Sequence, residues 1–191
     1  FAAGPPSISE HSREPCAPTD GGEVVISCVI LDNSTISEAL VHYSVDGGDY
    51  VTVAMMSDDD STFTGVITVN DDNEVDYYIT ATDDGADQSE PKTSVYPNDI
   101  EYDQLGFVVR ENLGIYNIQY TPWPSGNTRY EGCEVSVAGY VTADTAQYNS
   151  NYSSYAIQSS TGGEQWEGLV FYSETIIESV QRGRWCTITG T

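Results

Sequence analysis

Three acidic clusters contain the side chains of this chain that are best suited to bind a metal ion. They lie at residues 58–60, 70–74 and 83–87. Hard cations such as Ca²⁺ prefer several carboxylate and carbonyl oxygens. None of the clusters has the full spacing of an EF-hand loop with its Glu at the twelfth position. We therefore expect solvated turns without a cofactor, and the alternative is calcium binding at Asp83, Asp84 and Asp87.

Catalytic motifs are missing from the sequence. It contains no G-x-S-x-G, no H-E-x-x-H and no Walker loop. The two histidines, His11 and His42, both lie in the acidic first half, and alternation places His42 on a solvent face. No C-x-x-C pair accompanies them, so zinc is not expected. We predict that the chain is not an enzyme.

The net charge of −24 is concentrated in the first half of the chain. Residues 1–104 contain 22 acids and two bases, which gives −20, and the remainder contributes −4. Such a surface repels nucleic acid and anionic membranes. No window of eighteen apolar residues occurs either, so we expect neither a nucleic-acid partner nor membrane insertion.

Cysteine usage indicates an oxidising compartment. The even number of cysteines favours two disulfides among Cys16, Cys28, Cys133 and Cys186. A bridge between Cys16 and Cys28 would fix the N-terminal segment and contribute about 3 kcal/mol in the chain-entropy model.

Asn33 and Asn151 lie in sequons and are candidate glycosylation sites. The N-terminus FAAGPPSISE is typical of a processed chain, so we expect an extracellular or cell-surface protein.

Alternation of apolar and polar residues predicts an all-β protein. In the first half, short apolar runs are separated by Asp- and Gly-rich turns, one of them at residues 45–50, and this spacing favours a β-sandwich. The predicted core consists of the inward residues of three strands: Val24, Ile26, Cys28, Ile30, Val41, Tyr43, Val45, Val75, Tyr77, Ile79 and Ala81.

Composition divides the chain into three parts. We predict an acidic sandwich at residues 1–92, a linker at 93–104 and a small barrel at 105–191. The second part begins with two β-like runs, LGFVVREN and IYNIQYT, and continues with four barrel strands. Residues 175–181 are the one predicted helical turn there.

The first half resembles the immunoglobulin-like and fibronectin-type modules of secreted bacterial proteins. The resemblance rests on LVHYSVDGGDYVTVAM, FTGVITV and EVDYYITATDDGA. It implies a sandwich and no particular activity.

The second half resembles the OB-fold module of secreted bacterial multidomain proteins, some of which carry nuclease domains. The matching segments include GCEVSVAGYVTA, EQWEGLVFYS and RGRWCTITGT. The resemblance implies the strand order 1-2-3-5-4-1 and a disulfide between Cys133 and Cys186 on neighbouring strands. It also implies a fifth strand beyond the four that are present, so the barrel is expected to be incomplete. Either the sequence is a fragment or that strand comes from elsewhere.

These features predict an extracellular structural or adhesive protein that self-associates into a homopolymer by strand addition. The candidate donor strands are residues 1–9 of a neighbour, or residues 105–109 within one chain. One alternative is an accessory fragment of a larger secreted hydrolase or nuclease. Another is a glycan-binding module with a stacking surface drawn from Trp123, Tyr152, Tyr155 and Trp166.

Overall fold

The computed structural model is all-β, with several antiparallel sheets, a half-barrel and a short helix. It describes residues 4–57, 59, 61–85, 90–146, 153–159 and 164–191. The chain forms two compact units. The first comprises Phe1–Glu111 and Pro122–Arg129, and the second comprises Asn112–Thr121 and Tyr130–Thr191. No helix among the described residues is long and apolar enough to cross a membrane.

In its described residues, the first unit contains nine strands. They are β1 (Ser7–Glu14), β2 (Gly22–Leu31), β3 (Ile36–Val45), β4 (Val51–Ala54), β5 (Met56–Ser57), β6 (Thr62–Val69), β7 (Glu74–Asp83), β8 (Thr93–Tyr96) and β9 (Leu105–Val108). One sheet has the order β1-β2-β6-β5, and the other has β4-β3-β7-β8. Strand β9 pairs with β7 beside β8, at residues 74–77 of β7.

The inward faces of both sheets form one apolar core. Alternation along β7 is complete, because every second residue from Val75 to Asp83 is buried. The predicted core is confirmed at nine of its eleven positions, and the other two, Tyr43 and Val45, are half-buried and pack against it. The predicted hairpin is also present, with Gly47 at φ +70° and the Gly48 N–H donating to the Val45 carbonyl.

The boundary between the two parts of the chain differs from the prediction. The segment predicted as a linker contains β8, and the first β-like run after it is β9, so both belong to the sheet around β7. Each supplies the ladder partners of one half of β7, which explains why the first compact unit extends to Glu111.

Two buried arginines hold the end of the first unit together. The Arg13 guanidinium donates to the carbonyls of Cys16 (2.7 Å from Nε) and Gly106 (2.7 Å from Nη1) and lies over the Phe107 ring. Arg129 Nη2 lies 2.8 Å from the Asp76 carboxylate and 2.6 Å from that of Glu74. Buried charges need such partners, because an unpaired charge is costly away from water.

Where the structure describes it, the second unit is a four-stranded half-barrel with a short helix. Its elements are α1 (Ile115–Gln119), β10 (Val135–Ala143), β11 (Ser153–Gln158), β12 (Gly168–Ser173) and β13 (Trp185–Gly190), and the strand order is β12-β11-β10-β13. The prediction of a strand at IYNIQYT was wrong, because Ile115 and Ile118 are buried on one side of α1. The helix predicted at residues 175–181 is a turn closed by the Val180 N–H and the Ile177 carbonyl.

Both predicted disulfide pairings are wrong. Cys16 is bonded to Cys133, while Cys28 and Cys186 are free thiols. Cys28 faces the sandwich core, and burial raises its pKa to about 11. A thiol with such a pKa is an inert core residue at neutral pH.

Candidate functional site

The two outer strands of the half-barrel are the most distinctive feature of the second unit. Among the described residues, β12 pairs only with β11, and β13 pairs only with β10. Each therefore has one side without a ladder partner in the described part of the chain. Such an edge presents a row of N–H and C=O groups that can pair with a further strand.

Burial on the inner face of the half-barrel falls from the central strands to the outer ones. On the central strands, Val137, Val141, Tyr155 and Ile157 are at most 2% exposed. The residues that continue this face on the outer strands are only half-buried: Leu169, Phe171, Cys186 and Ile188. An apolar inner face that is incompletely covered at both edges is suited to receive another apolar strand.

The ladder register places these outer residues on the inner face. Leu169 is opposite Ile157, and Phe171 is opposite Tyr155. The rings of Phe171 and Tyr155 stack with their centroids 5.1 Å apart. Across the other seam, Ile188 is opposite Val137. Directly opposed residues of an antiparallel pair point to the same face, so the buried central residues fix the orientation of the outer ones.

A glycine and the helix shape the middle of this face. A Cβ on Gly139 would lie 2.7 Å from the Gln158 carbonyl oxygen and 3.1 Å from Cδ1 of Ile115. Only a residue without a side chain allows both groups to approach β10 so closely. Ile115 is fully buried, and α1 packs against β10 and β12.

Cys186 is a free thiol on the inner face of β13. It lies opposite Gly139 in the ladder and is half-buried, and burial raises its pKa. The thiol therefore stays protonated at neutral pH and behaves mainly as a small apolar residue.

The outer face of the half-barrel has exposed aromatic side chains. Tyr172 is 73% exposed, and Tyr140 packs edge-on against Trp185, which is 51% exposed. A second aromatic group links Tyr116, Tyr120 and Trp166. The two tyrosines stack at 5.0 Å, and Tyr120 meets the indole edge-on at 6.3 Å.

The predicted stacking surface is only partly exposed. Trp166 is 45% exposed, whereas Trp123 is half-buried and lies in the first unit. Tyr155 is 1% exposed, and its hydroxyl accepts a hydrogen bond from the Ile177 N–H, so it is a core residue. Tyr152 lies outside the described residues.

The acidic clusters have structural partners where they are described. The Asp59 carboxylate accepts the backbone N–H groups of Ser61 and Thr62, and these hydrogen bonds lower its pKa. In the second cluster, Asp72 forms an ion pair with Arg110. These carboxylates stabilise turns, as expected for Asp in hairpin loops.

The third cluster is different, because Asp83 is fully buried at the end of β7 while Asp84 is exposed. Asp87, the last residue of this cluster, lies outside the described residues. Of the two candidate glycosylation sites, Asn33 is exposed in the turn between β2 and β3, and Asn151 lies outside the described residues. Among the described residues, no group of three or more His, Cys, Asp or Glu side chains is arranged to hold a metal ion.

Both candidate donor segments already take part in a ladder, the first of them through residues 7–9, while its residues 1–3 lie outside the described residues. Ser7, Ile8 and Ser9 pair with β2, and Leu105 to Val108 pair with β7. Their prediction as donors was wrong for a physical reason, because each completes a ladder of the sandwich.

The sequence contained two signals that were missed. Asp83 continues the alternation of Ile79 and Ala81, which indicates an inward carboxylate. The glycine at position 139, inside a predicted strand, indicates a close approach of another backbone.

No family model matches the chain, and no curated protein matches it significantly.

Proposed function

We propose that the chain is a non-catalytic, extracellular structural or adhesive protein that self-associates through the open edges of its half-barrel. The observation that carries the proposal is the pair of outer strands, β12 and β13, with their half-buried apolar inner faces. The disulfide between Cys16 and Cys133 supports an oxidising location.

The strand order supports the architecture behind this role. If β4 is set aside as an extra strand C′, the strands β1, β2, β3, β5, β6, β7 and β8 are lettered A to G in chain order. One sheet then has the order A-B-E-D and the other has C′-C-F-G, an order that supports an immunoglobulin-like sandwich. In the half-barrel, the first strand lies between the second and the fourth, and the third lies beside the second. This is the order of an OB-like barrel before its fifth strand is added.

The occupant of the open edges is a second copy of this chain. Strands β12 and β13 run in opposite directions, because each neighbouring pair in the order β12-β11-β10-β13 is antiparallel. A neighbour in the same orientation therefore brings its β13 antiparallel to β12 without unpairing any strand of either copy. This contact is heterologous, so repetition gives a filament unless the rotation closes a ring.

A matched pair of variants tests the role of the inner face. Leu169→Lys places a charge on the inner face of an edge strand, which is a natural device against edge pairing. Val170→Lys places the same charge on the next residue, which is 47% exposed on the outer face.

Light scattering on size-exclusion fractions measures the outcome. We expect the native chain and Val170→Lys to show a mass that increases with concentration, and Leu169→Lys to remain a monomer with native circular dichroism. A monomeric native chain at all concentrations would refute self-association. It would favour an accessory module whose missing strand belongs to the same polypeptide.

Glycan binding is a second candidate because of one observation. Tyr116 and Trp166 are each more than 40% exposed at the two ends of the group that they form with Tyr120. Aromatic faces of this kind can stack against sugar rings, and OB-folds bind oligosaccharides. A glycan array with the native chain and Trp166→Ala tests this, and equal signals from the two would exclude a role for the aromatic group.

A further inference from the structure

One carboxylate of the sandwich is buried without full compensation. Asp83 is the last residue of β7 and is 0% exposed, on the same face as Ile79 and Ala81. Its ladder partner is Ile36, at the start of β3. No other Asp or Glu among the described residues is buried to this extent.

The two oxygens of Asp83 have different environments. Oδ1 accepts the backbone N–H groups of Gly85 (3.0 Å) and Lys92 (2.9 Å). Oδ2 is equally buried but has no hydrogen-bond partner among the described residues. A buried carboxylate oxygen without a partner is costly, and such a group in a native fold indicates a bound water or ion.

A second buried oxygen without a partner belongs to the neighbouring turn. Ser34 Oγ is also buried with no hydrogen-bond partner in the described part of the chain. The Asp32 carboxylate fixes this turn by accepting the Ser34 N–H at 2.7 Å. The next residue, Thr35, accepts the Asp84 N–H through its carbonyl at 2.9 Å, so the turn and the end of β7 are directly joined.

We propose that Asp83 Oδ2 and Ser34 Oγ bind a hard divalent cation of the calcium class at this end of the sandwich. Both proposed ligand atoms are oxygens, which Ca²⁺ prefers, and water would complete the six to eight ligands that Ca²⁺ takes. The joined segments carry Asp32 and Asp84 against one base, Lys92, and this net negative charge favours a cation over an anion. With one carboxylate ligand, the site falls in the weak class of extracellular modules, with a Kd of about 10⁻⁴ to 10⁻³ M.

Calorimetric titration of the chelator-stripped chain with CaCl2 alone tests the site directly, with MgCl2 at equal ionic strength as the comparison. We expect saturable Ca²⁺ binding, and a melting temperature that rises with Ca²⁺ more than with Mg²⁺. Ser34→Ala removes one ligand, leaves the Asn33 sequon intact and is expected to weaken binding about tenfold or less.

Asp83→Asn and Asp84→Asn form the matched pair of variants. They remove the same charge from adjacent residues, one buried and one exposed. We expect Asp83→Asn to abolish Ca²⁺ binding and Asp84→Asn to retain it. Absence of Ca²⁺ binding to the native chain would overturn the proposal, and equal loss in both variants would show general charge attraction only.

Discussion

His11 makes the stability of the sandwich depend on pH. Its Nε2 lies 2.8 Å from the Tyr77 hydroxyl, and its ring packs near those of Tyr77 and Tyr96. Burial, with a smaller contribution from the charge of Arg13, lowers the pKa of His11 from 6.5 to about 4. The folded state therefore holds His11 neutral at pH values where the unfolded chain binds a proton.

The difference between the folded and unfolded pKa of His11 determines the direction in which stability changes with pH. Because the folded pKa is depressed, the neutral imidazole contributes stability that is present above pH 6.5 and is lost as the pH falls through 4. The two pKa values correspond to a loss of about 2 kcal/mol between pH 7 and 5, and of about 3 kcal/mol by pH 4.

Urea unfolding of the native chain and of His11→Gln at pH 7, 5 and 4 isolates this contribution, because carboxylate titration is common to both. We expect the native chain to lose about 2 kcal/mol more than His11→Gln between pH 7 and 5. His42→Gln is the control. His42 is more exposed than His11. Burial lowers the pKa of His42, and the charge of Glu38 partly offsets this, so we expect His42→Gln to change the pH dependence of stability less than His11→Gln does. Equal pH slopes for the native chain and His11→Gln would refute the burial argument.

Three further features of the structure lead to testable predictions. Arg129→Met should lower the unfolding free energy by about 3 kcal/mol, because it leaves the largely buried Asp76 carboxylate without its cation. Arg110→Met, at an exposed ion pair, should lower it by less than about 1 kcal/mol, and denaturant unfolding measures both. Gly139→Ala should lower the melting temperature by several degrees, because its Cβ would overlap a backbone carbonyl, and an unchanged melting temperature would contradict that contact. Peptide mapping without reduction should recover Cys16 linked to Cys133, and a link from either to another cysteine would contradict the fold.

The sandwich could be predicted largely from the sequence, because its alternation is local. Val75 to Ala81 alternate strictly, and this pattern alone placed the core of β7. The half-barrel strands were also recognisable as four separate runs. The short apolar run at residues 115–119 was ambiguous, because a segment of that length fits a strand or a helix equally well.

The remaining features depend on contacts between distant residues. Four cysteines allow three pairings, and the sequence does not determine which two meet. The pairing of Cys16 with Cys133 spans more than a hundred residues. Strand β9 likewise follows its partner β7 by more than twenty residues, so its place in the sandwich could not be derived from local pattern.

The open edges of the half-barrel are tested most directly by disulfide trapping with the native thiol of Cys186. Leu169→Cys places a second thiol on the inner face of β12, where the β13 of a neighbouring copy would bring its own Cys186 close. Val170→Cys, on the outer face, is the matched control, and Cys186→Ser in the Leu169→Cys background removes the partner thiol. Under mild oxidation, we expect a covalent ladder of oligomers for Leu169→Cys and monomers for both controls. Monomers from all three variants, or equal ladders from Leu169→Cys and Val170→Cys, would contradict self-association through these edges.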